Sequence, residues 1–219
     1  MPETLTPAEA FVDEALSEAI FKAVNYKAWD CPEESLVASP YFNVDETIIA
    51  KHLARLLSRR PFKLSQAILE AECWRRSQYL RYLVATHVLV DDPPAKDVIE
   101  KELGKSVLRD RRLYSKDFKE VCEYALELLP LYASYPKLLI VAVNKGGSFD
   151  DVDKDYFGRL REAAGRLKTT IKKILKTKKL TDELKRQVEE EVEEVLSFGW
   201  GIPEDWKKRL SRYPFVWAW

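Results

Sequence analysis

The sequence contains little cysteine, histidine or glycine, and it carries no net charge. Among 219 residues there are 3 Cys, 2 His and 7 Gly, and 36 basic side chains balance 36 acidic ones. Cys31, Cys73 and Cys122 are far apart and form no C-x-x-C pair, which argues against a disulfide framework and a zinc site. Three isolated thiols also cannot complete a four-cysteine iron–sulfur cluster. We therefore expect no cofactor in this chain.

Long apolar runs and an export signal are missing as well. No apolar run approaches the ~18 residues that a membrane span needs, and residues 1–10 have neither a basic n-region nor an apolar h-region. An apolar fraction of 46% with no net charge excludes an intrinsically disordered chain. These features predict a soluble, cytoplasmic protein without a membrane partner.

Apolar residues recur at helical spacing along most of the chain. Thr6, Pro7 and Glu9 have the order of a capping box with proline at the first helical position, which predicts a helix from there to about Val24. Further helices are predicted from about residues 44, 65, 115, 153 and 181. The clearest amphipathic face, which we expect to be buried, comprises Phe118, Val121, Cys122, Ala125, Leu126 and Leu129.

One segment departs from the helical pattern. Residues 137–143 form a continuous apolar run rich in β-branched side chains, and Asn144, Lys145, Gly146 and Gly147 follow it. This pattern predicts a buried strand and a turn, with Pro130 ending the helix before it and a short second strand near residues 148–152.

The predicted fold class is therefore mostly α, a multi-helix domain with a small α/β insertion of one or two strands around residues 137–152. Residues 1–135 are predicted to form a helical domain. Residues 136–180 are predicted to form a small α/β subdomain that continues into a basic helix, and residues 181–219 to form C-terminal helices that pack back on the first domain.

Opposite charges occur in separate blocks. Eleven basic residues lie between positions 159 and 186 against three acidic ones, and five glutamates follow between positions 189 and 194. A basic helix face can bind a phosphate backbone, or it can be a solvated face that pairs with the acidic helix after it. A second basic group that includes Arg75 and Arg76 is interleaved with aromatic residues, a composition found on single-stranded nucleic acid and at protein interfaces.

Catalytic candidates are few. Arg81 and His87 lie six residues apart on one predicted helix, an order that resembles HEPN-type ribonucleases. Six residues correspond to about 600° of rotation, so the two side chains point more than about 100° apart. A helical nucleic-acid-binding scaffold, such as a small subunit of a CRISPR effector, is the other alternative.

Several motifs resemble the N-terminal helical part of the large subunit of archaeal and eukaryotic-type DNA primases. They are a helix containing Phe118 and Tyr124, a Lys137-Leu138 pair followed by Lys145-Gly146, and a helix with Leu160, Ala163, Ala164 and Ile171. Residues 39–57 and the alanine- and glutamate-rich residues 67–76 resemble that family's upstream helix pair. The resemblance covers about residues 39–194.

The resemblance implies a non-catalytic regulatory subunit. Such a chain docks the catalytic small subunit and positions the single-stranded DNA template and RNA primer, which it binds weakly, and it has no enzymatic activity of its own. The family's iron–sulfur domain has no counterpart after residue 200, so a cluster is expected only if a further C-terminal domain exists. The family's N-terminal Tyr-Pro-Phe is absent as well, although Tyr213-Pro214-Phe215 occurs near residue 219.

Two sets of residues are candidates for these contacts. An apolar and aromatic segment next to Pro130 supplies more apolar positions than one helix face buries, which predicts a docking surface with Tyr132 as its anchor: Tyr124, Leu128, Leu131, Tyr132 and Tyr135. Packing of this segment inside the chain is the alternative. The basic candidates for nucleic-acid contact are Arg75, Arg76, Lys145, Arg159, Arg166 and Lys173.

Overall fold

The computed structural model describes residues 5–25, 62–72, 107, 110–144 and 154–199. These ranges are mostly helical, which confirms the predicted fold class, and they contain no strand. The three predicted domains remain predictions. The helices are α1 (Pro7–Asn25), α2 (residues 63–72), a 3₁₀ helix (Arg111–Tyr114), α3 (Phe118–Asn144), α4 (Lys154–Thr177) and α5 (Asp182–Leu196).

Helix α1 begins with the predicted capping box. The Thr6 hydroxyl accepts a hydrogen bond from the Glu9 N–H at 3.3 Å, and the Glu9 carboxylate accepts one from the Thr6 N–H at 2.9 Å. The Thr6 N–H and the Thr6 hydroxyl both donate to this carboxylate, and they hold the pKa of Glu9 below its usual range because they favour the charged form. Local sequence alone therefore sets this helix start.

The connection from α4 to α5 is also defined locally. Lys178 follows α4 with φ 54°, and its N–H donates to the Ile174 carbonyl at 2.8 Å. This is a left-handed residue at the C-terminal end of a helix, a position that usually favours glycine. The hydroxyl of Thr181 then accepts from the Leu184 N–H at 3.2 Å and caps α5, which begins close to the predicted position.

Helix α3 corrects the strand prediction. It runs from Phe118 to Asn144 through both Pro130 and Pro136, so residues 137–143 are helical rather than a strand. The predicted second strand near 148–152 lies outside the described residues. A continuous apolar run fits a buried helix as well as a buried strand. Pro130 has no N–H to donate to Leu126, but buried side chains flank it on both sides, and this packing outweighs the local preference of proline.

The four long helices form a bundle. In cyclic order, α1 packs on α3, α3 on α4, α4 on α5, and α5 on α1. The predicted apolar face of α3, from Phe118 to Leu129, is buried, as are Leu160, Leu167, Ile171 and Ile174 of α4. Phe157 and Ala164, which were predicted on the same face of α4, are half-buried against this core.

Helix α2 is attached to the bundle at its first residues by a side chain of α1. The buried Asp13 carboxylate accepts hydrogen bonds from the backbone N–H groups of Lys63 at 3.1 Å and Leu64 at 2.8 Å. The first N–H groups of a helix have no partner within the helix, so Asp13 acts as the cap of a helix 50 residues further along the chain. Burial raises the pKa of Asp13, although the two N–H groups oppose that shift.

We expect Asp13→Ala to destabilise the protein by about 1–3 kcal/mol at neutral pH, because two buried N–H groups lose their acceptor. Asp13→Asn keeps one oxygen acceptor and is the isosteric control. Since the folded pKa of Asp13 lies above the ordinary 3.8, the folded wild type binds this proton more tightly than the unfolded chain. Its stability relative to Asp13→Asn should therefore rise as pH falls toward 3.8 and then level off.

Denaturant unfolding of the three proteins at a series of pH values measures this difference. Titrations of other groups cancel in the comparison of wild type with Asp13→Asn. A wild type that loses stability relative to Asp13→Asn over the same pH range would show that the carboxylate is stabilised mainly by its two hydrogen bonds.

Candidate nucleic-acid interface

Helix α4 carries two rows of cations along its exposed side. Arg159, Arg166 and Lys173 are seven residues apart and therefore lie on one line, beside α5. Arg161, Lys168, Lys172 and Lys176 lie along the other edge, and the last two border α3. We call these the α5-side row and the α3-side row. The first consists of three of the residues predicted to contact nucleic acid.

Carboxylates neutralise much of the α5-side row. Arg159 pairs with Asp155 of the preceding turn at 3.1 Å, and Arg166 pairs with Glu194 of α5. The Glu194 carboxylate raises the pKa of the Arg166 guanidinium. Only Lys173 in this row has no ion pair within the described part of the chain. Among the described residues, the basic helix α4 is therefore paired with the acidic helix α5 by one ion pair, between Arg166 and Glu194.

The α3-side row is largely unneutralised. Lys172 lies 3.8 Å from Glu123 of α3, and the guanidinium of Arg161 donates to the Phe157 carbonyl at 3.2 Å. Together with Lys173 of the α5-side row and the two lysines of the turn after α4, this leaves six cations between positions 161 and 179 without an ion pair to any described residue: Arg161, Lys168, Lys173, Lys176, Lys178 and Lys179. No described carboxylate neutralises their positive charge, which can attract an anion.

Hydrogen bonds between α4 and α5 fix the orientation of these rows. The buried Thr170 hydroxyl donates to the Glu191 carboxylate at 3.0 Å. The Gln187 amide donates to Thr170 at 3.1 Å and to Glu191 at 3.0 Å. This network holds one side of α4 against α5, so the cations project from a fixed helix face. A fixed array of cations can follow several successive phosphates of one strand.

Tyr124, a predicted docking residue, makes its contacts within the chain. Its hydroxyl donates to the Val107 carbonyl at 3.1 Å, and the guanidinium of Arg112 lies 4.5 Å from the centre of its ring. Arg112 in turn pairs with Asp110 and with Glu127, each at 2.9 Å. Burial raises the pKa of the Tyr124 hydroxyl to about 12. The ring therefore cannot serve as an exposed contact.

The expectation that Tyr132 protrudes as an anchor is wrong. Its side chain is only 1% exposed, and its hydroxyl lies 3.4 Å from the buried Glu72 carboxylate of α2. Leu128 is buried as well, and Leu131 is half-buried against the core. Because α3 continues through Pro130, these residues remain on a helix enclosed by its neighbours. These residues therefore have the alternative arrangement, in which the segment packs inside the chain.

Other predicted residues lie outside the part of the chain whose side chains are described. These are Tyr135, Arg75, Arg76 and Lys145, together with Arg81 and His87 of the ribonuclease alternative. Sequence reasoning counted the four cations of the α3-side row but did not single them out as a group, which the structure brings together. Their spacing of seven, four and four residues on a predicted helix is the signal that could have identified them.

The described residues contain no group of three or more His, Cys, Asp or Glu side chains placed to hold a metal ion. The thiol of Cys122 is buried, and burial raises its pKa, so it is held in the protonated form. None of the described helices is both long and apolar enough to cross a membrane.

Comparison of the chain with models of protein families, with curated proteins and with solved structures gives no match. The positions and charges of its own side chains are therefore the basis for the functional argument below.

We expect Tyr132→Ala to destabilise the protein by about 3–5 kcal/mol, because it removes a fully buried aromatic ring. Thermal and denaturant unfolding would measure this loss. Phe21→Ala is the control, since Phe21 is 44% exposed and its truncation should change stability by no more than about 0.5 kcal/mol. A Tyr132→Ala protein that unfolds like the wild type would instead indicate that Tyr132 is available to a partner.

Proposed function

We propose that this protein is a non-catalytic regulatory subunit of a DNA primase, which binds a template or primer strand on helix α4 and docks the catalytic subunit. The nucleic-acid part of this proposal is supported by the six cations on α4 and the turn after it that have no ion pair to a described residue. The resemblance of the sequence to primase large subunits supports the more specific assignment.

The length of the basic surface suits a single strand. Arg161 and Lys176 are 15 residues apart on α4, which corresponds to about 22 Å along the helix axis. A nucleic-acid strand presents several phosphates over that distance. Lysine side chains contact phosphates as point charges without reading bases, so binding should depend on salt and hardly on sequence.

The role of such a subunit is positional. A catalytic subunit that starts a primer must bring a template and nucleotides together, and the entropy lost in that assembly raises the barrier. A second subunit that holds the strand on a fixed helix face reduces this cost without contributing a catalytic group. In this proposal the metal ions and the transferring carboxylates belong to the catalytic subunit.

We expect Lys168→Glu/Lys173→Glu to weaken binding of a fluorescent oligo(dT) by about tenfold or more at low salt, because two phosphate contacts become repulsions. Fluorescence anisotropy over a range of salt concentrations provides the measurement. The slope of log K against log salt should become shallower by about 1.4, since single strands contribute about 0.7 per neutralised phosphate.

Lys185→Glu/Arg186→Glu is the matched control for charge and exposure. These residues lie on α5 and already have carboxylate partners, Asp182 and Glu190. The control should retain most of the wild-type affinity. Equal losses in both double variants would assign binding to net charge rather than to α4, and the nucleic-acid proposal would then fail.

Assembly with a catalytic primase subunit tests the specific assignment. Co-expression with the catalytic subunit encoded in the same genome should give a complex of fixed stoichiometry that survives size-exclusion chromatography. The chain alone should make no primers, and the complex should initiate primers more often than the catalytic subunit alone. Oligonucleotide binding without any such complex would favour the alternative of a nucleic-acid-binding scaffold from another assembly.

A further inference from the structure

The grooves between the bundle helices are places where a partner protein could dock, since the predicted docking residues whose side chains are described are buried or half-buried. The groove between α1 and α5 has an apolar floor and four glutamates on its rim. Three of those glutamates already pair with lysines: Glu14 with Lys63, and Glu18 and Glu193 with Lys22. A shallow groove between α4 and α5 is polar throughout and contains the Thr170 network.

The groove between α3 and α4 differs from these two. Its volume is about 410 Å³, and its floor is aliphatic apart from one thiol: Cys122, Leu126, Ile171 and Leu175. Four lysines surround this floor, Lys119 from α3 and Lys172, Lys176 and Lys178 from α4 and the turn after it. We call this the lysine-rimmed groove. This groove combines an apolar floor with three lysines that have no ion pair to a described residue.

The acidic groups near the lysine-rimmed groove do not cancel its charge. Glu123 is the only carboxylate that lines it, and it pairs with Lys172 at 3.8 Å. Glu9 of α1 is close enough for Lys178 and Lys119 to lower its pKa slightly, but its carboxylate is bonded to Thr6. Lys119, Lys176 and Lys178 have no ion pair within the described residues.

We propose that the lysine-rimmed groove docks an acidic segment of a partner protein, with one or two aliphatic side chains on the groove floor and carboxylates on the four lysines. Charge complementarity identifies the occupant as acidic. Apolar side chains that leave water on binding would cover the apolar floor favourably. Phosphates and carboxylates alone do not provide such side chains. This inference rests on the proposed function in one respect, namely that the partner is the catalytic subunit.

The chemistry of the floor favours a protein segment over a nucleic acid. Bases are held by stacking on aromatic rings and by hydrogen bonds to their edges. The floor has no aromatic ring, and its one polar group is a buried, protonated thiol. A peptide with aliphatic side chains along one face and acidic residues between them fits this groove, because the aliphatic side chains cover the floor and the carboxylates reach the lysines of the rim. Lys176 and Lys178, two of the six cations without an ion pair to a described residue, then contact the partner segment, and Arg161, Lys168, Lys173 and Lys179 remain for the nucleic acid.

The test uses the full chain and a labelled peptide of about 14 residues, or four helical turns, with leucine at positions i, i+3 and i+7 and glutamate elsewhere. A second peptide has serine in place of each leucine and keeps the same charge. At about 0.15 M ionic strength, where exposed charges are largely screened, the leucine peptide should bind the wild type at least about tenfold more tightly than the serine peptide. Equal binding of the two would overturn the groove as the site.

Two double variants separate this site from the nucleic-acid surface. Lys119→Glu/Lys176→Glu changes the rim, and Lys168→Glu/Lys173→Glu changes cations outside the groove by the same charge. The rim variant should weaken leucine-peptide binding at least about tenfold, and the outer variant should leave it within about threefold. All four lysines are exposed or half-exposed, so both variants should retain the wild-type melting temperature.

The outcomes for the two proposals are distinguishable. Peptide binding that depends on the rim, without any oligo(dT) binding, would support the groove and refute the nucleic-acid function. Oligo(dT) that displaces the peptide completely and loses as much affinity in the rim variant as in the outer variant would make the groove part of the nucleic-acid surface. Peptide binding that is equally weak in both variants would refute the docking site.

Discussion

The Asp13 carboxylate, through which α1 caps α2, is the contact on which the arrangement of the described helices depends most. It accepts from Lys63 and Leu64 in the protein interior. Glu72, the last described residue of α2, lies within hydrogen-bonding distance of Tyr132 of α3. Helix α2 therefore contacts α1 at its start and α3 at Glu72, and it links these two helices. Exposed ion pairs contribute much less, because water screens them.

The positions of the cations on α4 depend indirectly on this packing of α1, α2 and α3. One side of α4 is fixed to α5 by the Thr170 network, and the other borders α3, whose position is set through α2. Two rows of similar charge thus have different surroundings. Carboxylates neutralise two of the three cations in one row, whereas two lysines of the other row border a groove with an aliphatic floor. Helix packing, rather than composition, decides which lysines remain available.

Sequence reasoning identified what local interactions determine. Thr6 and Glu9 form a capping box three residues apart, and the buried face of α3 follows from helical spacing. It was wrong where distant contacts decide. The helix through residues 137–143 and the burial of Tyr132 depend on neighbours far along the chain, as does the capping of α2 by Asp13. Which cations pair across helices also requires the packed structure.

The two grooves of opposite charge have a consequence for the behaviour of concentrated solutions. The groove between α1 and α5 is acidic at its rim, and the groove between α3 and α4, on the opposite side of the bundle, is basic. Between the described residues of two copies, the acidic rim of one groove attracts the basic rim of the other. Dissolved ions screen that attraction beyond about 8 Å at 0.15 M. Solubility near neutral pH should therefore increase as salt is first added.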